Sequence, residues 1–181
     1  MRLYGAPAGG TGNVVPAGAR SIEAPAWSPT DDRILYTVQR SATNWDVYVV
    51  HMRSGRRARV TSTAAQETGP TWSPDGRRIA FARQDAAGAW RVFVMDAGGS
   101  KPDPVTPRGS SAVEPAWSPD GRTIAVTGQK GDDSFIELVP LDGGKPRRVT
   151  APDLFASQPA WSPRGERLVF VARALEAADR G

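Results

Sequence analysis

The residues that could act as acid, base or nucleophile are few in this sequence. Its single histidine is His51, whereas acyl transfer requires a nucleophile, a base and an orienting acid in one place. The G-x-S-x-G, H-E-x-x-H, G-x-x-x-x-G-K-[ST] and G-x-G-x-x-G motifs do not occur. The sequence therefore predicts no catalytic residues, no cofactor and a non-enzymatic chain.

Two pairs of neighbouring aspartates are the next candidates for chemistry. Asp31-Asp32 and Asp132-Asp133 both occur in turn or loop sequence. Adjacent side chains seldom point the same way, so neither pair provides the two facing carboxylates of a glycosidase. Neither follows the spacing of a calcium-binding loop. We therefore expect solvated loops and no metal site, with weak cation binding as the alternative.

A repeat positions the other conspicuous residues. The tripeptide Trp-Ser-Pro begins at Trp27, Trp72, Trp117 and Trp161, at intervals of 45, 45 and 44 residues. Each copy has a proline two residues before the tryptophan and a turn followed by a short apolar strand after it. One tryptophan per repeat, always in the same place, indicates packing between repeats, because each unit must bury one face against the next.

Each complete repeat contains four short apolar segments separated by turns. The turn Ser73-Pro74-Asp75-Gly76 has proline and glycine where a tight hairpin needs them, whereas the first repeat lacks the glycine and should have the least regular turn. A period near 45 residues with four strands is typical of a β-propeller blade. We predict an all-β propeller of about four four-stranded blades and almost no helix before residue 172. The predicted blades span residues 21–61, 66–106 and 111–150, with a split blade from 156–172 plus 1–15.

Composition narrows the classes of partner. The chain of 181 residues has a net charge of +4, and its arginines recur in each repeat rather than along one stripe. This distribution argues against nucleic acid as the partner. There is no cysteine and no apolar segment approaching the ~20 residues of a membrane helix, so neither a thiolate metal site nor membrane insertion is expected.

The repeat resembles the WD40-like, Pro-Asp type blades of TolB-like β-propellers. The resemblance rests on residues 70–76 (PTWSPDG), residues 92–96 (VFVMD) and Gly98-Gly99, and it recurs in register along nearly the whole chain. It implies a propeller fold and binding of partner proteins, as in TolB, which resides in the periplasm. A periplasmic or extracellular location is implied in the same way, although the chain starts with no signal peptide. Related blades also form gating domains in front of serine peptidases.

Loops that precede the innermost strand and loops between the second and third strands share one face of a propeller. Ligands usually bind on that face, and its polar and aromatic residues could accept hydrogen bonds or stack on a partner. We predict ligand-binding residues Gln66, Glu67, Glu114, Phe155, Gln158, Trp45 and Trp90. The function that follows is a scaffold for a protein or peptide partner. The alternatives are the substrate-gating propeller portion of a larger serine-peptidase-type enzyme and a small-ligand or cation sensor.

The two chain ends carry complementary halves of one repeat. Residues 3–10 align with 92–99, which belong to a third strand and its turn, whereas residues 161–172 supply only first and second strands. We therefore expect Leu3 to contact the strand at residues 168–170, giving a closed four-bladed monomer. A swapped dimer of eight blades and a fragment of a six-bladed ring are the alternatives.

Overall fold

The computed structural model describes residues 4–5, 12–13 and 21–174, and every helix or strand assigned in those ranges is a β-strand. The N-terminal pair is β1 (Tyr4–Gly5) and β2 (Gly12–Asn13). The first blade contains β3 (Ile22–Trp27), β4 (Arg33–Gln39), β5 (Trp45–His51) and β6 (Arg57–Arg59). The second contains β7 (Glu67–Trp72), β8 (Arg78–Gln84), β9 (Trp90–Asp96) and β10 (Asp103–Pro104). The third contains β11 (Ser111–Trp117), β12 (Thr123–Lys130), β13 (Asp133–Pro140) and β14 (Arg147–Arg148), and the fourth contains β15 (Leu154–Trp161) and β16 (Leu168–Ala174).

Each of the first three blades is a four-stranded antiparallel meander in chain order, as the sequence predicts. Strands β15 and β16 form a two-stranded sheet, and β1 and β2 form another, with Tyr4 paired to Asn13. The predicted contact of Leu3 with the strand at residues 168–170 lies outside the described residues. The split blade therefore stays a prediction.

The turn between the first two strands of a blade depends on the serine that follows each tryptophan. In the second blade the Gly76 amide donates to the Ser73 carbonyl, at 2.9 Å, and the Ser73 hydroxyl donates to Asp75. Gly76 has φ of 67°, a left-handed conformation that glycine adopts without steric cost. The first blade has Asp31 in the place of this glycine, and no corresponding backbone bond occurs among its described residues. Its turn is the least regular of the four, as expected.

The tryptophans pack between neighbouring blades. Trp72 and Trp117 are buried, and each contributes to an apolar cluster shared with the preceding blade. The Trp72 indole N–H donates to the carbonyl of Ala26 in the first blade, at 3.2 Å. Trp27 differs, because 60% of its surface is exposed. The packing prediction is therefore confirmed for Trp72 and Trp117 and does not extend to Trp27.

An arginine at the start of the second strand of each of the first two blades contacts the next blade. The Arg33 guanidinium lies 4.5 Å from the centre of the Trp72 ring, and that of Arg78 lies 4.8 Å from the centre of the Trp117 ring. Arg78 also donates to the Gly121 carbonyl in the next turn, at 2.9 Å. These contacts fix the angle between blades, and hence the position of the loops at their ends.

A Val-Thr pair directly follows the fourth strand of each complete blade for a structural reason. The threonine hydroxyl accepts a backbone N–H from the third strand of the same blade, which ties the end of the short outer strand to the sheet. The pairs are Thr61 with Val47, Thr106 with Val92 and Thr150 with Ile136, at 2.9–3.2 Å.

Candidate functional site

A backbone irregularity shapes the innermost strand of every blade. The residue three positions before the tryptophan adopts a left-handed conformation, with φ between 51° and 59°. The pairing register shifts at the same place in all four blades, which is a β-bulge. The residues concerned are Ala24, Gly69, Glu114 and Gln158. The bulge separates the part of the strand that ends in the tryptophan from the part that begins at the loop face.

The loop face carries a cavity between the first and second blades. Its volume is about 230 Å³. The side chains that line it come from the starts of the innermost strands and from the starts of β5 and β9. They are Glu23, Trp45, Gln66, Glu67, Thr68 and Trp90. Four of the seven predicted site residues, Gln66, Glu67, Trp45 and Trp90, therefore meet in one place.

Several hydrogen bonds hold the walls of this cavity. Asn44 donates its side-chain amide to the Thr63 and Ala65 carbonyls, at 2.8 and 3.1 Å, and so fixes the loop that leads to β7. Trp45 forms a parallel β-bridge with Gln66, which joins the first blade to the second. The cavity is therefore preorganised by the Asn44 side chain and by a backbone bridge between the two blades.

Glu67 lies at the base of the cavity and is buried, with 1% of its surface exposed. The Arg83 guanidinium donates to its carboxylate, with Nε 2.8 Å from Oε1. The hydroxyls of Thr61 and Thr63 also donate to it. A buried charge with an ion-pair partner and hydrogen bonds is tolerated, whereas an isolated one is not. The charge of Glu67 is therefore balanced from within the protein.

Glu23 is the unbalanced charge of the cavity. Its side chain is exposed, and its carboxylate has no hydrogen bond or ion pair with any described residue. Sequence reasoning missed Glu23 and Thr68, although each stands four residues before its tryptophan. Superimposing the repeats on the tryptophans would have placed both at the same end of the innermost strand.

The other three predicted residues lie elsewhere. One Glu114 carboxylate oxygen accepts hydrogen bonds from the Thr127 hydroxyl, at 2.7 Å, and from the Gln158 backbone N–H, at 2.8 Å. Glu114 thus joins the third and fourth blades. The ring of Phe155 faces Arg173, whose guanidinium carbon is 5.1 Å from the ring centre. None of these three residues lines the cavity between the first two blades.

A depression of about 350 Å³ occupies the opposite end of the innermost strands. The tryptophans and prolines of all four Trp-Ser-Pro copies line it, so its wall is mainly apolar. Within residues 4–5, 12–13 and 21–174, no group of three or more His, Cys, Asp or Glu residues is placed to bind a metal ion. No helix in those ranges could span a membrane.

Four-stranded meanders that repeat every 45 residues and pack face to face define a β-propeller. The chain belongs to the TolB beta propeller domain family, whose model matches residues 8–179. No protein of curated function matches the chain by sequence.

Solved structures share this fold at low sequence identity. TolB from Acinetobacter baumannii is 22% identical with a TM-score of 0.77, and the alignment covers 92% of this chain and 41% of that one. The putative TolB from Agrobacterium tumefaciens is 22% identical with a TM-score of 0.78, covering 97% and 66%. A puromycin hydrolase is 16% identical with a TM-score of 0.75, covering 91% and 27%. The chain thus spans less than two thirds of the length of each of these proteins.

Proposed function

We propose that this propeller is a non-enzymatic scaffold that binds a protein or peptide partner through its loop face. The observation that carries the proposal is the cavity where Trp45, Trp90, Gln66 and Glu67 converge. Aromatic side chains supply contact area at low cost in conformational entropy, and they are enriched where proteins bind one another. The polar groups beside them can accept hydrogen bonds from a peptide. Neither nucleic acid nor insertion into a membrane is part of the proposal.

A preformed cavity favours binding because little ordering is required when the partner arrives. The Asn44 bonds and the Trp45–Gln66 bridge hold the walls in place. The contacts of Arg33 with Trp72 and of Arg78 with Trp117 fix the relative positions of the blades that carry those walls. The scaffold would therefore bind a partner with little change in its backbone.

Selection from a peptide display library tests this function. We expect peptides that bind the parent protein and lose most of their affinity for the Trp45→Ala/Trp90→Ala double variant. Trp27→Ala is the matched control, since Trp27 is exposed at the opposite end of its strand and should not matter. Selected peptides that bind all three proteins equally would contradict the use of the loop face.

A second candidate function is the substrate-gating portion of a larger serine-peptidase-type enzyme. The fold likeness to a puromycin hydrolase and to a puromycin-hydrolyzing peptidase of Mycobacterium tuberculosis favours it, with TM-scores of 0.75 and 0.73. The reading frame in the source genome provides the test. A downstream α/β domain with a nucleophilic serine would support this candidate, and a stop codon directly after Gly181 would contradict it.

The assembly proposed for the scaffold is a monomer whose two chain ends complete one blade. A swapped dimer, in which each chain completes the blade of the other, is the alternative form. Either arrangement would cover the strand edges that an unclosed sheet exposes.

A further inference from the structure

We propose that the cavity between the first two blades binds the positively charged side chain of a lysine or arginine in the partner. This inference rests on the proposed function, because it names the chemistry that the loop face recognises.

Charge is the first argument. The cavity contains two carboxylates, but Arg83 neutralises Glu67 from below, at 2.8 Å. Glu23 has no cationic partner among the described residues. The cavity therefore presents one uncompensated negative charge, although the chain as a whole is positive. A cation entering from solvent would balance it.

The aromatic walls are the second argument. A cation over the face of an indole ring is attracted by the negative face of the π-system, and tryptophan binds cations best among the aromatic residues. The chain uses this interaction twice in its interior, where Arg33 lies over Trp72 and Arg78 over Trp117. No arginine or lysine of the described part of the chain lies over Trp45 or Trp90, and both are half-buried at the cavity.

Size is the third argument. Pockets for drug-sized ligands have volumes of roughly 300–1,000 Å³. At about 230 Å³ the cavity is smaller, and it suits one side chain inserted from a larger partner. Gln66 and Thr68 on the rim can form hydrogen bonds with the backbone of that partner.

The test uses a small probe, Nα-acetyl-lysine methylamide, and follows the tryptophan indole N–H signals of the full chain by NMR. We expect the Trp45 and Trp90 signals to shift and saturate. The Nε-acetylated form of the probe should bind about tenfold more weakly, because it has the same stem without the charge. Equal binding of both forms would overturn the inference, and so would saturation by a neutral sugar such as maltose in place of the lysine probe.

Two variants separate charge from aromatic contact. Glu23→Gln should weaken binding of the lysine probe about two- to fivefold, whereas Glu166→Gln, an exposed glutamate in the turn before β16, should leave it unchanged. Trp45→Leu keeps an apolar side chain but removes the indole ring, and it should also weaken binding of the lysine probe about tenfold. Unchanged affinity in Glu23→Gln would contradict the role of its carboxylate.

Peptide selection and the lysine probe together distinguish failure of the inference from failure of the proposed function. If display-selected peptides bind through Trp45 and Trp90 but tolerate acetylation of every lysine and replacement of every arginine, the scaffold function stands and the cation inference is wrong. If the lysine probe binds while no peptide is selected, the cavity recognises a cation and the scaffold function is wrong.

Discussion

Five of the six tryptophan side chains fall into three different environments. Trp72 and Trp117 are buried between blades and carry an arginine on their rings. Trp45 and Trp90 are half-buried and line the loop-face cavity. Trp27 is mostly exposed. Burial, rather than residue type, therefore determines what each tryptophan contributes to stability.

Replacing Trp117 by alanine should lower the free energy of unfolding by about 3–5 kcal/mol, the usual range for removing a large aromatic side chain from a core. Lys101→Ala is the control and should change it by less than about 0.5 kcal/mol, because Lys101 is exposed. Urea unfolding followed by circular dichroism measures both. If the two variants unfold at the same urea concentration as the parent, Trp117 does not hold the blades together.

At the scale of the strand and turn, the four repeats share one left-handed backbone position, which different residues occupy. The left-handed position before each tryptophan is glycine in the second blade but alanine in the first. A side chain in this conformation costs roughly 1–2 kcal/mol, which glycine avoids. The repeats therefore provide a natural comparison within one molecule.

Ala24→Gly should raise the free energy of unfolding by up to about 1 kcal/mol, and Gly69→Ala should lower it by about 1 kcal/mol. The space around Gly69 does not prevent a methyl group, since the nearest atom would lie 3.6 Å away. The cost would therefore come from the backbone conformation alone. Thermal unfolding of both variants checks the opposite signs, and a change in the same direction for both would contradict this account.

The turns that follow the tryptophans should make the stability of the fold depend on pH. Hydrogen bonds from the Ser73 and Ser118 hydroxyls lower the pKa of Asp75 and Asp120 from the usual 3.8. A carboxylate whose pKa is lower in the folded state stabilises the fold above its unfolded pKa, and that stabilisation is lost as the pH falls through the folded value. The stability of the protein should therefore decrease as the pH falls below about 3.8.

The double variant Asp75→Asn/Asp120→Asn should have a flatter dependence of its unfolding temperature on pH below about pH 4. Asp153→Asn is the control, because Asp153 is exposed and forms no side-chain hydrogen bond with the residues described. Calorimetry at several pH values measures the slope. A double variant with the parent slope would show that these turns do not contribute.

The strands and turns could be predicted because each depends on local residues that recur. The Trp-Ser-Pro that begins at Trp72 recurs in every repeat, and the Val-Thr after the fourth strand recurs in every complete repeat, at nearly constant spacing. The grouping of Trp45, Trp90, Gln66 and Glu67 followed from their common end of the blade. The bulge could not be predicted, since neither alanine nor glutamate signals a left-handed backbone.

The bulge also positions two of the predicted site residues, Glu114 and Gln158, whose role in binding stays a prediction. Glu114 was predicted to face a ligand, but the backbone of Gln158 lies within hydrogen-bond distance of its carboxylate. Glu23 was not predicted because its carboxylate becomes a candidate for binding only when Trp45 and Trp90 lie beside it, and the sequence does not show that they do. Contacts between blades depend on the angle between sheets, which no single repeat encodes.

At the scale of the whole molecule, apolar side chains are exposed on the first and the fourth blades. Trp27 of β3 is 60% exposed, and Val169 and Val171 of β16 are 66% and 59% exposed. Exposed apolar groups and unpaired strand edges favour association with another surface. They are the surfaces on which the proposed closure would act.

Light scattering separates the possible assemblies. We expect the mass of one chain if the ends complete a blade within the monomer. Twice that mass would indicate the swapped dimer, and polydisperse aggregates would indicate an open piece of a larger ring. Deletion of residues 1–15 should convert a closed monomer into an associating species. A deletion variant that stays monomeric would contradict closure by the N-terminal segment.

The hydrogen bonds between blades have a kinetic consequence. Those from Arg78, Trp72 and Trp161 to the neighbouring blade join residues that are 43, 46 and 45 positions apart. Each such contact closes a loop of nearly constant length, so the entropy lost in docking one blade on the previous one does not grow along the chain. Folding can then begin at any neighbouring pair of blades and spread in both directions. The docking of successive blades would be determined by the first docked pair and would depend little on how many blades follow, whereas joining the two chain ends would close a much longer loop.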